Sequence, residues 1–138
     1  MKISARNQFK GKIESVQEGV VNAIVTLKTD GGDIITATIS LEAVKELGLA
    51  AGKEAIAVIK ATEVMIGVGE MKLSARNQFE GEIVKVQEGA VNAIVTLKTD
   101  GGNTFTSTIS IAAVKELGLA PGVKAKAVVK ATSVMIAV

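Results

Sequence analysis

The sequence lacks several residue types on which much protein chemistry depends. It contains no histidine, cysteine, tryptophan or tyrosine, and three phenylalanines are its only aromatic residues. Without histidine and cysteine the chain cannot build the usual zinc or haem sites, thiolate redox centres, or the Ser-His and Cys-His pairs of nucleophilic catalysis. We therefore expect no site for a bare metal cation, and the absence of disulfides gives no support for secretion.

Charge and hydropathy narrow the possible partners. The 16 basic and 14 acidic residues leave a net charge of only +2, whereas nucleic-acid backbones are bound by strongly basic faces. No apolar run is long enough to span a membrane, and residues 1–7 lack the apolar stretch of a signal peptide. We therefore expect a soluble cytoplasmic protein without a nucleic-acid or membrane partner.

The chain consists of two similar sequence repeats. Residues 2–68 align with residues 72–138 without a gap, and 48 of these 67 positions are identical. The sequence therefore predicts two modules, residues 1–68 and residues 71–138, rather than one domain.

Several charged positions differ between the two copies. Lys10 and Lys12 correspond to Glu80 and Glu82, and Glu54 corresponds to Lys124. A function that depends on a broad charged surface would not tolerate such changes, so we expect binding to rely on local donor groups.

The sequence of each module predicts mostly β-strand. Alternating and β-branched residues predict strands at residues 9–17, 21–28, 34–39, 55–61 and 64–68. Ser40 is a suitable N-cap, and Gly48 is suited to end the helix that follows it. This order predicts an all-β protein of two tandem OB-like Greek-key barrels, each with one short helix.

Small modules with a high apolar content need partners. A module of this size buries a limited share of its surface, and the mean hydropathy of the chain is +0.40. Apolar surface of this kind is most simply covered between modules and between subunits. We therefore expect a homo-oligomer.

No spacing of charged or hydroxyl residues matches a known catalytic arrangement. Glu14 and Glu18 form a pair in one copy, but Val84 replaces the first of them in the other. We therefore expect no enzyme activity.

Donor-rich segments stand out instead. Residues 4–7 (Ser-Ala-Arg-Asn) precede the first strand, and further hydroxyl and cationic groups lie at residues 38–40 and 60–62. The start of the helix also presents backbone N–H groups. These groups would suit a small anion, although Ser and Asn at a strand entry also commonly bond their own backbone.

Four ordered segments, present in both modules, resemble the molbindin (Mop) family. In the first module they are Ser-Ala-Arg-Asn-Gln-Phe-Lys-Gly at residues 4–11, Glu-Gly-Val-Val-Asn-Ala at residues 18–23, Thr-Ile-Ser-Leu-Glu-Ala-Val-Lys-Glu-Leu-Gly-Leu at residues 38–49, and Val-Ile-Lys-Ala-Thr-Glu-Val-Met at residues 58–65. The chain is therefore similar to a tandem, two-module (di-Mop) protein. It has neither the helix-turn-helix nor the Walker motif that accompanies similar modules in a transcription regulator and a transporter ATPase.

The resemblance implies a ligand and an assembly. Members of the family bind molybdate, and usually tungstate, as the intact tetrahedral oxyanion, for cytoplasmic storage or homeostasis. Six modules assemble, so a two-module chain is expected to form a trimer, with the anions at module and subunit interfaces. The ligand is not a catalytic cofactor.

The resemblance also implies two kinds of oxyanion-binding site. The first kind would use Ser4, Arg6, Lys60, Ala61 and Thr62 of one module with Thr38 and Ser40 from a neighbour, and in the second copy Ser74, Arg76, Lys130, Ala131, Thr132, Thr108 and Ser110. The second kind, close to a threefold axis, is expected near Gly19, Val20, Val21 and Asn22, and near Gly89, Ala90, Val91 and Asn92.

Two other functions remain open from the residues alone. OB-type modules that bind nucleic acid stack bases on aromatic side chains and use a basic groove, and this chain is poor in both. A non-catalytic structural or regulatory interaction module, detached from a larger transporter or sensor, is the stronger alternative.

Overall fold

Ten strands and two helices follow one another in the order that the sequence predicts. In a computed structural model that describes residues 1–138, the first repeat forms β1 (Asn7–Glu18), β2 (Asn22–Thr29), β3 (Ile34–Ser40), α1 (Leu41–Leu47), β4 (Glu54–Ile59) and β5 (Met65–Gly67). The second repeat forms β6 (Asn77–Glu88), β7 (Asn92–Thr99), β8 (Thr104–Ser110), α2 (Ile111–Leu117), β9 (Lys124–Val129) and β10 (Met135–Ala137). The predicted all-β class, with two OB-like barrels and one short helix each, is confirmed. Neither helix has the length and apolar character needed to cross a membrane.

Helix α1 begins and ends where its capping residues predict. The Ala43 N–H donates to Ser40 Oγ at 3.0 Å, which satisfies one of the free donors of the first turn. Gly48 adopts the left-handed conformation with φ of 61°, which a residue without a Cβ enters at little cost. Both predicted caps are therefore confirmed.

The fourth predicted strand ends earlier than expected. The sequence predicts strand at residues 55–61, whereas β4 ends at Ile59 and a short 3₁₀ helix covers Ala61–Glu63. The Glu63 N–H donates to the Lys60 carbonyl at 2.9 Å. The Lys60 carbonyl is therefore bonded within this local turn instead of to the neighbouring strand, and Ala61 is not part of β4.

Strand β1 is long and curled, and this curl closes each sheet into a barrel. Its first half pairs with β4 and its second half with β2, both antiparallel, and the β2 register shifts between Ile13 and Ser15. Such a bulge bends the strand and increases its twist. At Gly11, where β1 lies between both neighbours, a Cβ would collide with the Lys28 carbonyl.

The two repeats exchange their last strands. The sheet orders are β10-β4-β1-β2-β3 and β5-β9-β6-β7-β8, so each five-stranded sheet receives one strand from the other repeat. Met135 lies opposite Val58, and Met65 lies opposite Val128. Each sequence module is therefore completed by a strand of the other, which ties both repeats into one folded body.

Buried amides and aromatic rings join the two barrels. Asn7, only 2% exposed, donates through Nδ2 to the Thr106 carbonyl at 2.8 Å and accepts from the Thr106 N–H at 2.7 Å. Asn77 makes the same pair of hydrogen bonds with Thr36, both at 2.8 Å. The Phe105 ring lies between those of two other phenylalanines, with centroids 4.6 and 5.1 Å away. On each of the strands β3 and β8, one backbone N–H and one carbonyl are thus bonded by an asparagine of the opposite repeat.

A second polar contact between the repeats joins the turns after β2 and β7. Asn103 Nδ2 donates to Asp33 Oδ2 at 2.7 Å and to Thr29 Oγ1 at 2.8 Å, and Thr99 Oγ1 donates to Asp33 Oδ2 at 2.6 Å. Asp33 and Asn103 occupy equivalent positions in the two repeats, so this position is a carboxylate in one repeat and an amide in the other. Because an amide donates to a carboxylate, this difference allows the two turns to approach closely.

Candidate functional site

The segment before β1 is held in a fixed loop by a side chain of β1. Gln8 Nε2 donates to the carbonyls of Ala5 at 2.9 Å and Ile3 at 3.3 Å. These two carbonyls flank Ser4, so the glutamine sets the path of the chain on both sides of the predicted serine. Gln78 makes the same contacts in the second repeat, with Ala75 at 2.9 Å and Leu73 at 3.1 Å.

The pairing of β1 with β4 brings two distant predicted segments together. Asn7, the first residue of β1, lies opposite Ile59, the last residue of β4, in this antiparallel pair. Arg6, which precedes β1, therefore lies beside Lys60, which follows β4. Arg6, Lys60 and Thr62 are exposed, whereas Ala61 is buried. The short 3₁₀ helix Ala61–Glu63 then turns the chain back across this corner of the barrel.

A cavity occupies this corner. It has a volume of about 310 Å³ and is lined by Ile3, Ser4, Ala5, Arg6, Lys60, Ala61, Thr62 and Met135. All five predicted residues of the first module are in this lining, together with one methionine that β10 brings from the other repeat. Two cations and two hydroxyls line the cavity and no carboxylate does, so its polar groups favour an anion.

Two other cavities of the chain are less suited to an anion. One of about 470 Å³ is lined by Glu70, Glu80, Glu82 and Asp100 as well as by two lysines, and the other includes Asp30 among its lining residues. Carboxylates repel a second negative charge, so these cavities are poor candidates. No group of three or more His, Cys, Asp or Glu side chains is placed to hold a metal ion.

The hydroxyls predicted to come from a neighbouring module do not line the cavity. The Asn7–Thr106 hydrogen bonds nevertheless place β8 beside the first-module segment, and Thr108 and Ser110 follow Thr106 on that strand. By the same repeat relation, Thr38 and Ser40 follow Thr36, which is bonded to Asn77 beside Ser74 and Arg76. Within one chain, each predicted donor set therefore meets a strand of the other repeat.

The helix start offers fewer free donors than its position in the sequence suggests. The Leu41 N–H donates to the Val21 carbonyl at 2.8 Å, and the Ala43 N–H is taken by Ser40 Oγ. The Ser40 hydroxyl accepts in this cap, so its own proton is still free to donate. At this helix start the Ser40 hydroxyl is therefore a donor that remains free, whereas the Leu41 and Ala43 N–H groups are both taken.

The second predicted group of residues lies at the opposite end of β1. Gly19, Val20, Val21 and Asn22 form the tight turn into β2, closed by the Gly19 N–H donating to the Asn22 carbonyl at 2.8 Å. The twelve residues of β1 separate this turn from the cavity. Val20 is 95% exposed, and Val21 and Val91 are 71% and 73% exposed. In the second repeat the turn comprises Gly89, Ala90, Val91 and Asn92, and the same Gly89–Asn92 hydrogen bond closes it at 2.8 Å.

Sequence reasoning missed the residues that position the site. Gln8 and Asn7 hold the donor segment and the opposite strand, yet in the sequence they read as ordinary polar residues at a strand entry. Asn7 belongs to the donor-rich segment at residues 4–7, and both residues recur as Asn77 and Gln78, but 48 positions are identical between the repeats and nothing in the sequence shows which backbone groups these two amides bond.

Known proteins resemble this chain over its whole length. A model of the TOBE domain matches residues 3–66 and 73–136. The molybdenum transport protein ModE of Azotobacter vinelandii is 42% identical over 139 residues, which cover 100% of this chain and 52% of ModE. The molybdenum-pterin-binding protein MopA of Rhodobacter capsulatus is 37% identical, covering 99% of this chain and 52% of MopA. The chain thus spans about half the length of these two relatives.

One solved structure and one single-module relative extend the comparison. The cytoplasmic molybdate-binding protein ModG, solved with molybdate bound, superposes with a TM-score of 0.96 at 48% identity and covers 100% of this chain and 99% of ModG. A probable molybdenum-pterin-binding protein of Haemophilus influenzae is 62% identical over 68 residues, which are 49% of this chain and 99% of that protein. The resemblance to molbindins seen in the sequence is therefore confirmed. With both of its repeats matched, the chain belongs to the TOBE-domain family.

Proposed function

We propose that this chain binds molybdate, and tungstate in the same way, as an intact tetrahedral oxyanion, and serves cytoplasmic storage or homeostasis without catalysis. One observation carries the proposal: the cavity at the β1–β4 corner combines Ser4, Arg6, Lys60 and Thr62 and has no carboxylate in its lining. The match to ModG, a cytoplasmic molybdate-binding protein, supports both the ligand and the location.

The donor set has the chemistry that an oxyanion requires. Four oxygens carrying two negative charges accept hydrogen bonds and need no metal ligands from the protein. Hydroxyls of Ser4 and Thr62 donate one bond each, and the first N–H groups of a 3₁₀ turn, here those at Ala61 and Thr62, have no acceptor within the turn. Arg6 and Lys60 add positive charge.

The number of donors is sufficient for useful affinity. A hydrogen bond to a charged group contributes roughly 1.5–3 kcal/mol, and micromolar binding corresponds to about 8 kcal/mol. Four or five such bonds therefore reach this affinity after part of their energy is lost to desolvation and ordering. Hydroxyls from the other repeat, such as Thr108 and Ser110, would complete the shell around the anion.

A trimer of chains is part of the proposal. The turns at residues 19–22 and 89–92 expose Val20 at 95%, Val91 at 73% and Val21 at 71%, and apolar side chains grouped in exposed patches mark interaction surfaces. Packing these turns around a threefold axis would cover the valines and place the backbone donors of several copies together. Such a centre would form the second kind of site, and the anion would stabilise the trimer by mass action.

An interaction module remains the second candidate. The chain covers only 52% of ModE, so modules of this kind also occur as parts of longer proteins. In that case the chain would recognise another protein, and anion binding would be absent or weak. Binding of single-stranded nucleic acid has less support, because the three phenylalanines that could stack bases are buried.

Calorimetry on the full chain tests the proposal. We expect tight binding of molybdate and tungstate, with sulfate and phosphate as comparison anions. Ser4→Ala combined with Ser74→Ala should weaken the first kind of site about tenfold or more, because each loses one charge-assisted hydrogen bond.

A matched control is available on β1. Ser15 is exposed, its hydroxyl pairs with Thr26 at 2.6 Å, and Lys85 replaces it in the other repeat. Ser15→Ala also removes one hydroxyl but should leave anion affinity unchanged. Absence of tight molybdate binding by the unmodified chain would rule out the proposed function, whereas equal affinities for all variants would rule out only this choice of residues.

A further inference from the structure

Glu63 is the one carboxylate in the two 3₁₀ helices that carry the proposed anion donors. The first helix reads Ala61-Thr62-Glu63 and the second reads Ala131-Thr132-Ser133. The two repeats thus differ at the residue that directly follows the donor threonine. Glu63 therefore adds one negative charge next to the first kind of site, which we propose binds a dianion.

A hydrogen bond across the two repeats fixes the position of this carboxylate. Ser133 Oγ donates to Glu63 Oε2 at 3.1 Å, and both side chains are half-buried. Glu63 is therefore bonded to the helix of the second repeat while its backbone belongs to the helix of the first. The carboxylate lies between the two helices rather than extending into solvent.

This placement brings the charge close to both proposed donor sets. Consecutive Cα atoms are about 3.8 Å apart, so Glu63 adjoins Thr62 and its partner Ser133 adjoins Thr132. Each donor threonine thus directly adjoins one member of the hydrogen-bonded pair, and two to three Cα spacings give a separation on the order of 10 Å between the carboxylate and a bound anion. No basic side chain lies within 4 Å of it, because the chain has one such ion pair and it joins Lys126 to Glu80.

We infer that Glu63 lowers the affinity of both first-kind sites for a dianion, and so adjusts the chain toward release of its ligand. The inference rests on the proposed oxyanion binding. A unit negative charge about 10 Å from a dianion in a medium of dielectric constant about 80 weakens binding by about fourfold. Ser133, as a neutral hydrogen-bond donor, keeps the charge in place without cancelling it.

Titration of the full chain with sodium molybdate at low ionic strength tests this role. Glu63→Gln keeps an acceptor for Ser133 and removes only the charge, and Glu63→Ser installs the residue that the other repeat already has. Both variants should bind molybdate about fourfold more tightly than the unmodified chain. Glu14→Gln is the matched control, since it removes one exposed carboxylate at the β1 bulge, where the other repeat has Val84.

Salt dependence separates an electrostatic role from a structural one. The Debye length falls from about 30 Å at 0.01 M salt to about 3 Å at 1 M, so the advantage of both variants should disappear at high salt. Equal affinities for the variants and the unmodified chain at low salt would refute the role of Glu63 while leaving oxyanion binding intact. An advantage that persists at 1 M salt would also refute it, and a chain that binds no molybdate would overturn both proposals.

Discussion

Removing the Asn7 side chain should destabilise the whole chain, although Asn7 belongs to neither hydrophobic core nor ligand cavity. Its amide pairs with both backbone groups of Thr106, with donor–acceptor distances of 2.7 and 2.8 Å. Asn7→Ala removes both hydrogen bonds and leaves the N–H and the carbonyl of Thr106 without partners at a half-buried edge of β8. The two repeats would then lose one of the contacts that hold them in register.

The size of the effect follows from the number of groups left unpaired. An unsatisfied buried donor or acceptor costs about 1–3 kcal/mol, so the two together should lower the free energy of unfolding by about 2–6 kcal/mol. This loss is a large share of the free energy of unfolding of a typical folded protein, which is roughly 5–15 kcal/mol. With a urea m-value of about 2 kcal/mol/M, the midpoint should fall by about 1–3 M.

Urea unfolding at a fixed protein concentration measures this loss, because an oligomer would otherwise make stability depend on concentration. Asn77→Ala should cost a similar amount, since Asn77 makes the same pair of hydrogen bonds with Thr36. Gln17→Ala on the exposed face of β1 should change the free energy by less than about 0.5 kcal/mol. If Asn7→Ala were as mild as Gln17→Ala, the reasoning that these amides hold the two barrels together would be wrong.

Three further predictions follow from individual contacts. Gln8→Ala should weaken molybdate binding by severalfold in calorimetry while circular dichroism stays unchanged, because it frees the loop that carries Ser4; Gln8→Glu should also weaken binding, since a carboxylate cannot donate to the two carbonyls. Asn103→Asp should lower the free energy of unfolding by about 2 kcal/mol or more at pH 7, because it places a second carboxylate against Asp33 and removes two donated hydrogen bonds; a loss as small as that of Gln17→Ala would contradict this explanation. Phe105→Ala should cost about 3–5 kcal/mol in chemical unfolding, because Phe105 is fully buried between two other rings; a loss below about 1 kcal/mol would mean that this cluster does not support the interface.

The strand pattern was predictable because it depends on local periodicity. Ala23, Val25 and Leu27 alternate with less buried neighbours in β2 and have between 0 and 1% exposure, as their spacing in the sequence predicts. The helix could be placed because Ser40 and Gly48 have intrinsic preferences for its two ends. The strand boundary at Ile59 could not, because the turn at Ala61–Glu63 competes with the ladder for the same backbone groups.

The drift of charge between the repeats has a structural explanation that periodicity does not reveal. Lys12 lies opposite Glu54 on neighbouring strands, and in the second repeat Glu82 lies opposite Lys124. The two signs are exchanged, so each cross-strand pair still joins opposite charges. At this pair of positions the charges are exchanged while the opposite-charge pairing is kept. Lys10 differs, because it lies opposite Ile56 whereas Glu80 lies opposite Lys126.

The candidate site shows the same division between local and tertiary information. The donor segments were recognisable as sequence motifs, but Arg6 and Lys60 lie more than fifty positions apart in the sequence and meet only because β1 pairs with β4. Gln8 could not be singled out, since an exposed glutamine on a strand usually faces solvent, and only the loop geometry shows that its amide bonds two carbonyls.

By itself the sequence determined that the chain is a duplicated all-β module without histidine or cysteine chemistry, since composition and repetition are properties of the chain alone. It did not determine that the repeats exchange β5 and β10. The target strands β4 and β9 share Ala-Val at Ala57–Val58 and Ala127–Val128, so β5 could form the same ladder with either one. The tertiary structure decided between them, because the choice depends on how the two barrels pack and not on any local hydrogen bond.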